Sequence, residues 1–515
     1  MKLMNSISIS LKITICLLIL IEVSISGSDK NIKPVTPNPS PEAVALLKFL
    51  YSISGKYTLT GQHNFPNIKD RNTQFAKKYI GKTPVIFSID WGFAKPGDSD
   101  SYLARPDIVA EVTRQYKLGS LITICWHAVP PTADEPVTFR PLPGHTAPDS
   151  LASVQGKILD QQFQDILTPG TKLYKHWCSQ VDTIAFYLKK IQEAHVPVLW
   201  RPYHEMNGSW FWWGSRQGKF STAALYRQLF DRLVNYYKIN NLIWVWSVDR
   251  PMNPDMQFSK YYPGNKYMDI LALDVYGNDF QQTYYDSLTS LSKGKLVTLG
   301  EVGIPPSKEI LKKQPNWIYY VTWASMVRNT PSKQYETMTD GTKFLFREDT
   351  AYIKNINEYR KICNLKPLSL KFSVSADDFV GTWIYNEDKS IPDNFGASSL
   401  PYKMTISKDD SALNVQKTFI LEYADDKITN EQILLNGKET KSEFMNSPKT
   451  TNARWSAKGD TLIIESKIEF ERGGKSSEMI QNEYWNIKNG DLIIFLYSKS
   501  FWGERRITIV YEREF

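Results

Sequence analysis

The chain has 515 residues, and its hydrophobic fraction of 42% and charged fraction of 23% are those of a globular protein. Its formal net charge of +8 argues against a nucleic-acid-binding protein, because the lysines and arginines are scattered among acidic residues and form no basic stripe. After residue 27 no stretch approaches the ~20 apolar residues needed to span a bilayer, so we expect no membrane span.

The first residues have the composition of a secretion signal. Lysines precede an apolar run over residues 13–23, and small residues follow it. This order predicts a signal peptide over residues 1–27, followed by a polar linker over residues 28–41. Cys16 lies too early in the apolar run for a convincing lipoprotein cleavage site, so surface anchoring is not supported. We therefore expect a secreted or periplasmic protein.

Residues 42–366 repeat one pattern, in which a short apolar run precedes a longer amphipathic stretch. This alternation is typical of βα units. Helices are predicted between the strands, for example over residues 181–194 and 222–239, where apolar residues recur three and four positions apart. The predicted strands cover residues 57–62, 85–90, 121–126, 198–201, 242–247, 270–275, 297–300 and 318–322.

This number and spacing of strands predict an α/β fold, a closed (β/α)8 TIM barrel over residues 42–366. An open, doubly wound sheet would show the same alternation. That fold usually carries a glycine-rich phosphate loop after its first strand, and no such loop follows residue 62. The barrel is therefore the preferred fold.

The pattern changes after residue 366. Short runs of alternating polarity follow one another and are separated by charged turns, as at residues 402–406, 461–470, 492–498 and 506–512. Such runs predict antiparallel hairpins. We expect a small all-β domain over residues 376–515, with no clear helix in it.

Polar and aromatic residues stand at or just after the ends of the predicted barrel strands. In barrels of this kind the strand ends meet at one mouth, where active sites lie. A full ring of such residues is hard to explain by packing alone. In chain order they are His63, Asp90, Trp91, Trp126, His127, His204, Glu205, Asp249, Asp274, Tyr276, Glu301 and Trp323.

Glu205 and Glu301 follow the fourth and seventh predicted strands and would face each other across the mouth. Glycoside hydrolysis uses two carboxyl groups in this way, one protonated and one ionised. If the two groups lie about 5 to 5.5 Å apart, the reaction retains the anomeric configuration, and one carboxylate acts as a nucleophile. A structural ion pair between a glutamate and Arg201 is the plainer alternative.

Both glutamates lie in distinctive motifs. Glu205 belongs to WRPYHEMNG at residues 200–208, with further tryptophans at residues 210, 212 and 213, and Glu301 belongs to LGEVG at residues 299–303. DVY at residues 274–276, TGQH at residues 60–63 and WH at residues 126–127 accompany them. Together these motifs resemble glycoside hydrolase family 26, and the resemblance spans nearly the whole predicted barrel.

The resemblance implies a β-mannanase-like enzyme with Glu205 as the general acid/base and Glu301 as the nucleophile. Tyr276 looks like the tyrosine that orients the nucleophile. A glutamate that acts as an acid needs a raised pKa, which desolvation by an apolar wall at residues 210–212 would provide, whereas Glu301 should stay ionised through hydrogen bonds.

The same resemblance implies a set of substrate-binding residues. Trp210 and Trp323 look like aromatic platforms beneath the sugars. His204 and His127 resemble family residues near the acid/base, although each could be a structural histidine. For Arg201 and Asp274 two roles stay open, substrate contact and support of the catalytic carboxylates. The tryptophans at residues 212, 213, 244 and 246 are assigned to the core or the rim.

We therefore expect hydrolysis of β-1,4-mannosidic bonds in mannan, glucomannan or galactomannan, with β-mannan or a manno-oligosaccharide as the partner. We expect no cofactor, no metal and a monomer. The same family pattern also covers enzymes that act on mixed-linkage β-glucan or β-1,3-xylan. A non-catalytic carbohydrate-binding protein is the alternative from another class.

The C-terminal domain carries a weaker resemblance. FVGTW at residues 379–383 resembles the entry of lipocalin-like barrels, and Arg505-Arg506 could supply the arginine that packs on Trp383. A lipocalin-like β-barrel could hold an apolar ligand, bind glycan at its surface, or serve as a structural appendage.

Overall fold

The computed structural model describes residues 32–96, 101–368, 374–391, 400–421, 425–457, 459–472, 475–488, 490–501 and 503–514. The expected signal peptide lies outside these residues, as do residues 28–31 of the expected linker. Among the described helices, none combines the length and the apolar character that crossing a bilayer requires.

The first part of the chain forms a closed parallel barrel. Neighbouring strands pair in order from the second to the ninth, and the ninth returns to pair with the first two, which closes the sheet. The strands are β1 Thr58–Leu59, β2 Gly61–Asn64, β3 Ile86–Asp90, β4 Leu121–Trp126, β5 Val198–Pro202, β6 Leu242–Asp249, β7 Ile270–Val275, β8 Leu296–Val302, β9 Trp317–Thr322 and β10 Phe344–Leu345.

The barrel prediction is confirmed, and the open doubly wound alternative is wrong because the sheet closes. Each predicted strand is present with its ends within two residues of the predicted ones. The first predicted strand is split into β1 and β2 at Thr60, whose hydroxyl donates to the carbonyl of Leu345 at 2.8 Å. The barrel strands are buried along their whole length, as expected for strands covered on both faces.

Helices surround the barrel and alternate with its strands. In α5, Ile184, Leu188 and Ile191 face the barrel and are buried, and Thr171 caps the helix by accepting from the backbone of Tyr174. A π-helical stretch, Asp231–Tyr236, continues α6. The helices are α1 Pro41–Ile53, α2 Arg71–Ile80, α3 Arg105–Lys117, α4 Asp160–Ile166, α5 Lys172–Glu193, α6 Thr222–Phe230, α7 Gln282–Ser292, α8 Lys308–Lys313, α9 Ser332–Glu336, α10 Thr350–Ile362 and α11 Ala376–Phe379.

The C-terminal part is an antiparallel sheet of ten strands that curls into a nearly closed barrel. Its order is β14-β13-β12-β11-β20-β19-β18-β17-β16-β15. The short helix α11 precedes it, which corrects the expectation of a helix-free domain. The strands are β11 Gly381–Tyr385, β12 Lys403–Lys408, β13 Ala412–Phe419, β14 Lys427–Leu434, β15 Thr440–Phe444, β16 Ser447–Trp455, β17 Leu462–Arg472, β18 Lys475–Lys488, β19 Asp491–Ser500 and β20 Gly503–Glu514.

Trp383 is fully buried in the core of this sheet, and its indole N–H donates to the carbonyl of Phe379 at 2.8 Å. The arginine that packs on its ring is Arg513, whose guanidinium carbon lies 4.6 Å from the ring centroid. The expectation of Arg505-Arg506 is therefore wrong. The reason is the strand register, because Trp383 stands directly opposite Arg513 on β20, whereas Arg506 lies over Tyr497.

The two parts of the chain meet at α2. The ammonium group of Lys78 lies 3.0 Å from a carboxylate oxygen of Glu512 and 3.7 Å from one of Asp491. Lys389 binds the same two carboxylates at 2.8 and 2.7 Å. These shared ion pairs connect the end of the C-terminal sheet to the helical layer of the barrel.

One end of the C-terminal sheet encloses charged groups. Glu431 on β14 accepts from Lys417 at 3.2 Å and from Lys449, which lies on β16, so this network helps to join the two edges of the sheet. Burial alone would raise the pKa of Glu431, but the two ammonium groups outweigh it and lower the pKa to about 2. The network therefore stabilises the fold when Glu431 is ionised.

We expect Glu431→Ala to lower the free energy of unfolding of the C-terminal sheet by about 3 kcal/mol, because the buried ammonium group of Lys449 loses its carboxylate and Lys417 keeps only Glu483, 4.0 Å away. The folded-state pKa is depressed, so this stability is present above the ordinary value of 4.5 and is lost as the pH falls towards about 2. Urea denaturation at neutral pH measures the effect. Glu465→Ala removes an exposed pair with Arg454 and should change stability by less than about 1 kcal/mol.

Candidate active site

A cavity of about 530 Å³ opens at the carboxyl ends of the barrel strands. It combines acidic, imidazole and aromatic side chains, and its residues come from strand ends and the loops that follow them. They are His63, Phe65, Asp90, Ser101, His127, Phe139, Gln155, His204, Glu205, Trp210, Phe211, Asp249, Arg250, Tyr276, Glu301 and Trp323.

The chain leaves β5 in an unusual conformation. Tyr203 and Glu205 have φ values of +49° and +50°, in the left-handed region that residues with a side chain rarely adopt. Such strain costs of order 1–3 kcal/mol and persists where surrounding contacts impose it. Here the Asn207 amide donates to the backbone carbonyl of Asp249 at 2.6 Å and its oxygen accepts from the backbone N–H of Asp249 at 2.8 Å. These bonds fix the loop that carries Glu205.

Glu205 is buried beside an indole. Its carboxyl oxygen accepts from the Trp210 N–H at 2.6 Å, and the Trp210 ring lies so close to Gly208 that an added Cβ would come within 2.3 Å of it. Burial raises the pKa of Glu205 well above its usual range, and the negative charges of Glu301 and Asp274 raise it further. This environment favours the protonated form, which is the form a general acid requires.

Glu301, at the end of β8, has the opposite environment. One carboxylate oxygen accepts from the Arg201 guanidinium and the other from the Tyr276 hydroxyl. These two donors hold the carboxylate in one orientation, and the adjacent guanidinium matches its charge. A glycine is needed at position 300, next to Glu301, because a Cβ there would lie 2.5 Å from an oxygen of Asp274.

The two glutamates are close together. Carboxylate oxygens of Glu205, Asp274 and Glu301 all lie within 4.8 Å of one another. Because like charges at this distance repel, one protonated and one ionised glutamate is the favoured arrangement. The site therefore holds a protonated carboxyl group and a carboxylate close enough to act on the same bond of a bound substrate.

Arg201 and Asp274 lie beneath this pair and do not line the cavity. The guanidinium donates to Asp274 at 3.0 Å as well as to Glu301, and Asp274 also accepts from the Ser247 hydroxyl at 3.1 Å. Both residues are buried. Of the roles that the sequence left open for them, the geometry favours support of Glu301 over substrate contact.

Three histidines line the cavity. Burial lowers the pKa of His63 to about 3 and that of His204 well below its usual value. His204 Nε2 lies 3.8 Å from a Glu301 oxygen, and among the described residues its Nδ1 has no partner. His127 Nδ1 is 3.0 Å from a carboxylate oxygen of Asp90, which fixes its ring.

Two half-buried tryptophans present faces to the cavity. Trp323 stacks on His63 with ring centroids 3.8 Å apart and an interplanar angle of 15°, while Trp210 lies beside Glu205. Apolar faces of this kind can cover the C–H face of a pyranose. The tryptophans at residues 212, 213, 244 and 246 are fully buried, in agreement with the preference for core positions.

Two groups of side chains have metal-ligand chemistry, but each is already internally bonded. Cys125 Sγ and His127 Nδ1 converge on the same oxygen of Asp90, at 3.3 and 3.0 Å. In the group of Glu205, Asp274 and Glu301, the Arg201 guanidinium contacts two of the three carboxylates. A fixed positive charge thus occupies the position in which a cation would otherwise balance the carboxylates.

Sequence reasoning missed several residues of the cavity. Phe139 and Gln155 come from the long loop between β4 and α4, where no periodicity marks a position as inward-facing. Gln155 reaches the cavity because its backbone bridges to Phe211. Arg250 also lines the cavity and donates to the Tyr276 carbonyl at 2.7 Å. In the sequence, only the position of Arg250 next to Asp249 indicates that it lies at the cavity.

Comparison with known proteins agrees with this geometry. The model of the glycosyl hydrolase family 26 matches residues 35–355. A mannan endo-1,4-beta-mannosidase from Thermothelomyces thermophilus is 32% identical over 302 residues, which are 57% of this chain and 57% of that protein. Mannan endo-1,4-beta-mannosidase A from a Piromyces species is 29% identical over 301 residues, 56% of this chain and 45% of that protein. The chain thus spans about half the length of these curated relatives.

Solved structures give the same result for the barrel. GH26A from a Muricauda species is 38% identical, with a TM-score of 0.56, and the match covers 61% of this chain and 99% of that one. A GH26-CBM35 beta-(1,4)-mannanase from Podospora anserina is 26% identical, with a TM-score of 0.51, and covers 64% of this chain and 70% of that one.

Proposed function

Because the chain belongs to glycosyl hydrolase family 26, we propose that it hydrolyses β-1,4-mannosidic bonds in mannan, glucomannan or galactomannan with retention of anomeric configuration. The observation that carries the proposal is the contrast between two neighbouring glutamates. Glu205 is buried with a raised pKa, whereas Glu301 accepts from a guanidinium and a phenol. Their oxygens lie within 4.8 Å of each other, which fits the short separation of retaining enzymes.

In the first step Glu205 donates its proton to the glycosidic oxygen while an oxygen of Glu301 attacks the anomeric carbon. The bond to the leaving sugar breaks, and a glycosyl ester to Glu301 forms. In the second step the ionised Glu205 takes a proton from water, the water oxygen attacks the anomeric carbon, and Glu301 departs as a carboxylate. Arg201 and Tyr276 stabilise that carboxylate at the start and end of the cycle.

The choice of mannan rests on the relatives, whose names describe endo-acting mannanases. The cavity agrees with a sugar chain as substrate, because Trp210 and Trp323 offer stacking faces while His127 and His204 offer polar atoms beside the carboxylates. We also propose that residues 1–27 direct export, since a polysaccharide substrate lies outside the cell.

The test is reducing-sugar release by the purified protein on unbranched mannan, glucomannan, mixed-linkage β-glucan and β-1,3-xylan. Activity on the two mannans, with the β-anomer formed first by NMR, supports the proposal. Activity on the glucan or the xylan alone would overturn the substrate. Tight glycan binding without hydrolysis would assign the chain to the carbohydrate-binding proteins.

We expect Tyr276→Phe to lower kcat on mannan by about 10- to 100-fold, because a hydrogen bond to an ionised group contributes about 1.5–3 kcal/mol. The phenol contacts Glu301, so KM should change little. Steady-state kinetics measure both. Tyr79→Phe removes a hydroxyl that donates to the Thr330 carbonyl, outside the residues that line the cavity, and should leave kcat unchanged. Equal losses in the two variants would argue against an orienting role for Tyr276.

A further inference from the structure

The C-terminal sheet exposes aromatic rings on its outer side. Alternation along β18 and β19 places Glu483, Trp485 and Ile494 inside, so that Tyr484 and Phe495 point outward. The two residues stand directly opposite each other on neighbouring strands, with ring centroids 5.9 Å apart. Phe495 is 41% exposed although it belongs to a large, folded protein. Two neighbouring rings at the surface offer apolar faces on which a ligand can stack.

The aromatic pair belongs to a row that crosses the strands. Ile463 on β17 stands opposite Tyr484, and Thr508 on β20 stands opposite Phe495. Neighbouring strands lie about 4.8 Å apart, which is close to the width of one pyranose ring. A linear sugar chain that crosses the strands would therefore place successive rings on successive side chains of the row.

A polar row runs beside the aromatic one. Glu465, Asn482, Tyr497 and Arg506 stand opposite one another on β17 to β20, in the next outward positions. The Arg506 guanidinium lies 5.5 Å from the centre of the Tyr497 ring, so the tyrosine ring is held in place. Carboxylate, amide and guanidinium groups of this row can bond to sugar hydroxyls while the aromatic row covers the C–H faces.

Charged side chains on and beside this face pair with one another, without an excess of basic groups. Arg454 pairs with Glu465 at 2.9 Å, Lys467 pairs with Glu478 at 2.9 Å, and Lys499 pairs with Glu504 at 3.3 Å. Mutual pairing leaves little net field to attract nucleic acid or an anionic membrane. A neutral polysaccharide is the partner that needs apolar faces and hydroxyl-bonding groups without net charge.

We infer that the outer face of β17 to β20, the aromatic face, binds the β-mannan chain outside the catalytic cavity. It keeps the catalytic barrel on the polysaccharide between cleavage events. The identity of the polysaccharide rests on the proposed function, while the existence of a glycan-binding face does not.

The experiment uses the full chain with Glu301→Ala, so that hydrolysis is negligible during the run, in affinity electrophoresis through gels that contain soluble glucomannan. Tyr484→Ala with Phe495→Ala should raise the dissociation constant about tenfold or more, because stacking on two rings is lost. Ile428→Ala removes an exposed apolar side chain from β14, in the same sheet, and should leave binding unchanged. Thermal denaturation verifies that the variants fold.

Equal retardation of the aromatic-face variant and its parent would overturn the inference, as would retention on xylan but not on mannan. A dimer of the parent that dissociates in the variant would assign the face to a second copy of the chain and overturn it as well. In the active protein, the two face substitutions should leave kcat/KM on a short soluble manno-oligosaccharide unchanged. If no mannan is cleaved and the face variant still loses glycan binding, the proposed function fails and the inference stands.

Discussion

Glu301→Ala is expected to lower kcat on mannan by about 10⁴- to 10⁶-fold, the range seen when a group that forms a covalent intermediate is removed. The loss has a direct cause, because among the described residues only the Glu301 carboxylate accepts from both Arg201 and Tyr276, one on each oxygen. Arg201 keeps its bond to Asp274, so the fold around the site should survive. Stopped assays at high enzyme concentration, with circular dichroism as the check on folding, measure the effect.

The Glu301→Ala variant also tests whether Glu301 is the nucleophile. Azide can enter the space left by the Glu301 side chain and attack the anomeric carbon of an activated aryl β-mannoside. A single displacement inverts the configuration, so an α-mannosyl azide is expected. Glu301→Gln, which keeps the side-chain volume, should be equally inactive but should not be rescued. A β-azide from the alanine variant would show that Glu301 is not the nucleophile.

The sequence predicts the barrel well because a parallel strand buried on both faces leaves a strong signal. Runs such as residues 121–126 are apolar except for Thr123 and lie between amphipathic helices, and the structure has β4 over the same residues. The strand ends then lie at one mouth by topology alone, so most of the ring from His63 to Trp323 could be predicted without any contact being known. Trp91, Trp126 and Asp274 are the exceptions, because they are buried and do not line the cavity.

Other features depend on geometry that no local pattern encodes. The left-handed conformation of Glu205 is imposed by bonds from Asn207 to a distant strand. Gln155 reaches the cavity through a bridge to Phe211, which lies in another loop. The arginine over Trp383 could not be chosen from spacing, because the register between β11 and β20 selects Arg513 over Arg506. Long-range pairing decides each of these cases.

Glu205→Ala is expected to lower kcat/KM on mannan by about 10²- to 10⁴-fold, the usual contribution of a general acid. The loss should almost disappear on a dinitrophenyl β-mannobioside, because a dinitrophenolate leaves without a proton. On that substrate the second step becomes slow, since no base activates water, so both kcat and KM should fall. Azide should restore kcat and yield a β-mannosyl azide, the opposite configuration to the product of the Glu301 variant.

The pH dependence follows from the same residue. The pKa of Glu205 is raised well above its usual range, so the protonated acid persists to higher pH and the wild-type rate falls only as the pH rises through that pKa. In Glu205→Ala this alkaline limb of kcat/KM on mannan should be absent. Trp210→Phe provides the matched control, because it keeps the acid and removes a donor that lowers its pKa. In that variant the limb should remain and move to higher pH.

An unchanged alkaline limb in Glu205→Ala would assign the general acid to another residue. Asp249 would be the next residue to test, because it also lines the cavity and burial raises its pKa.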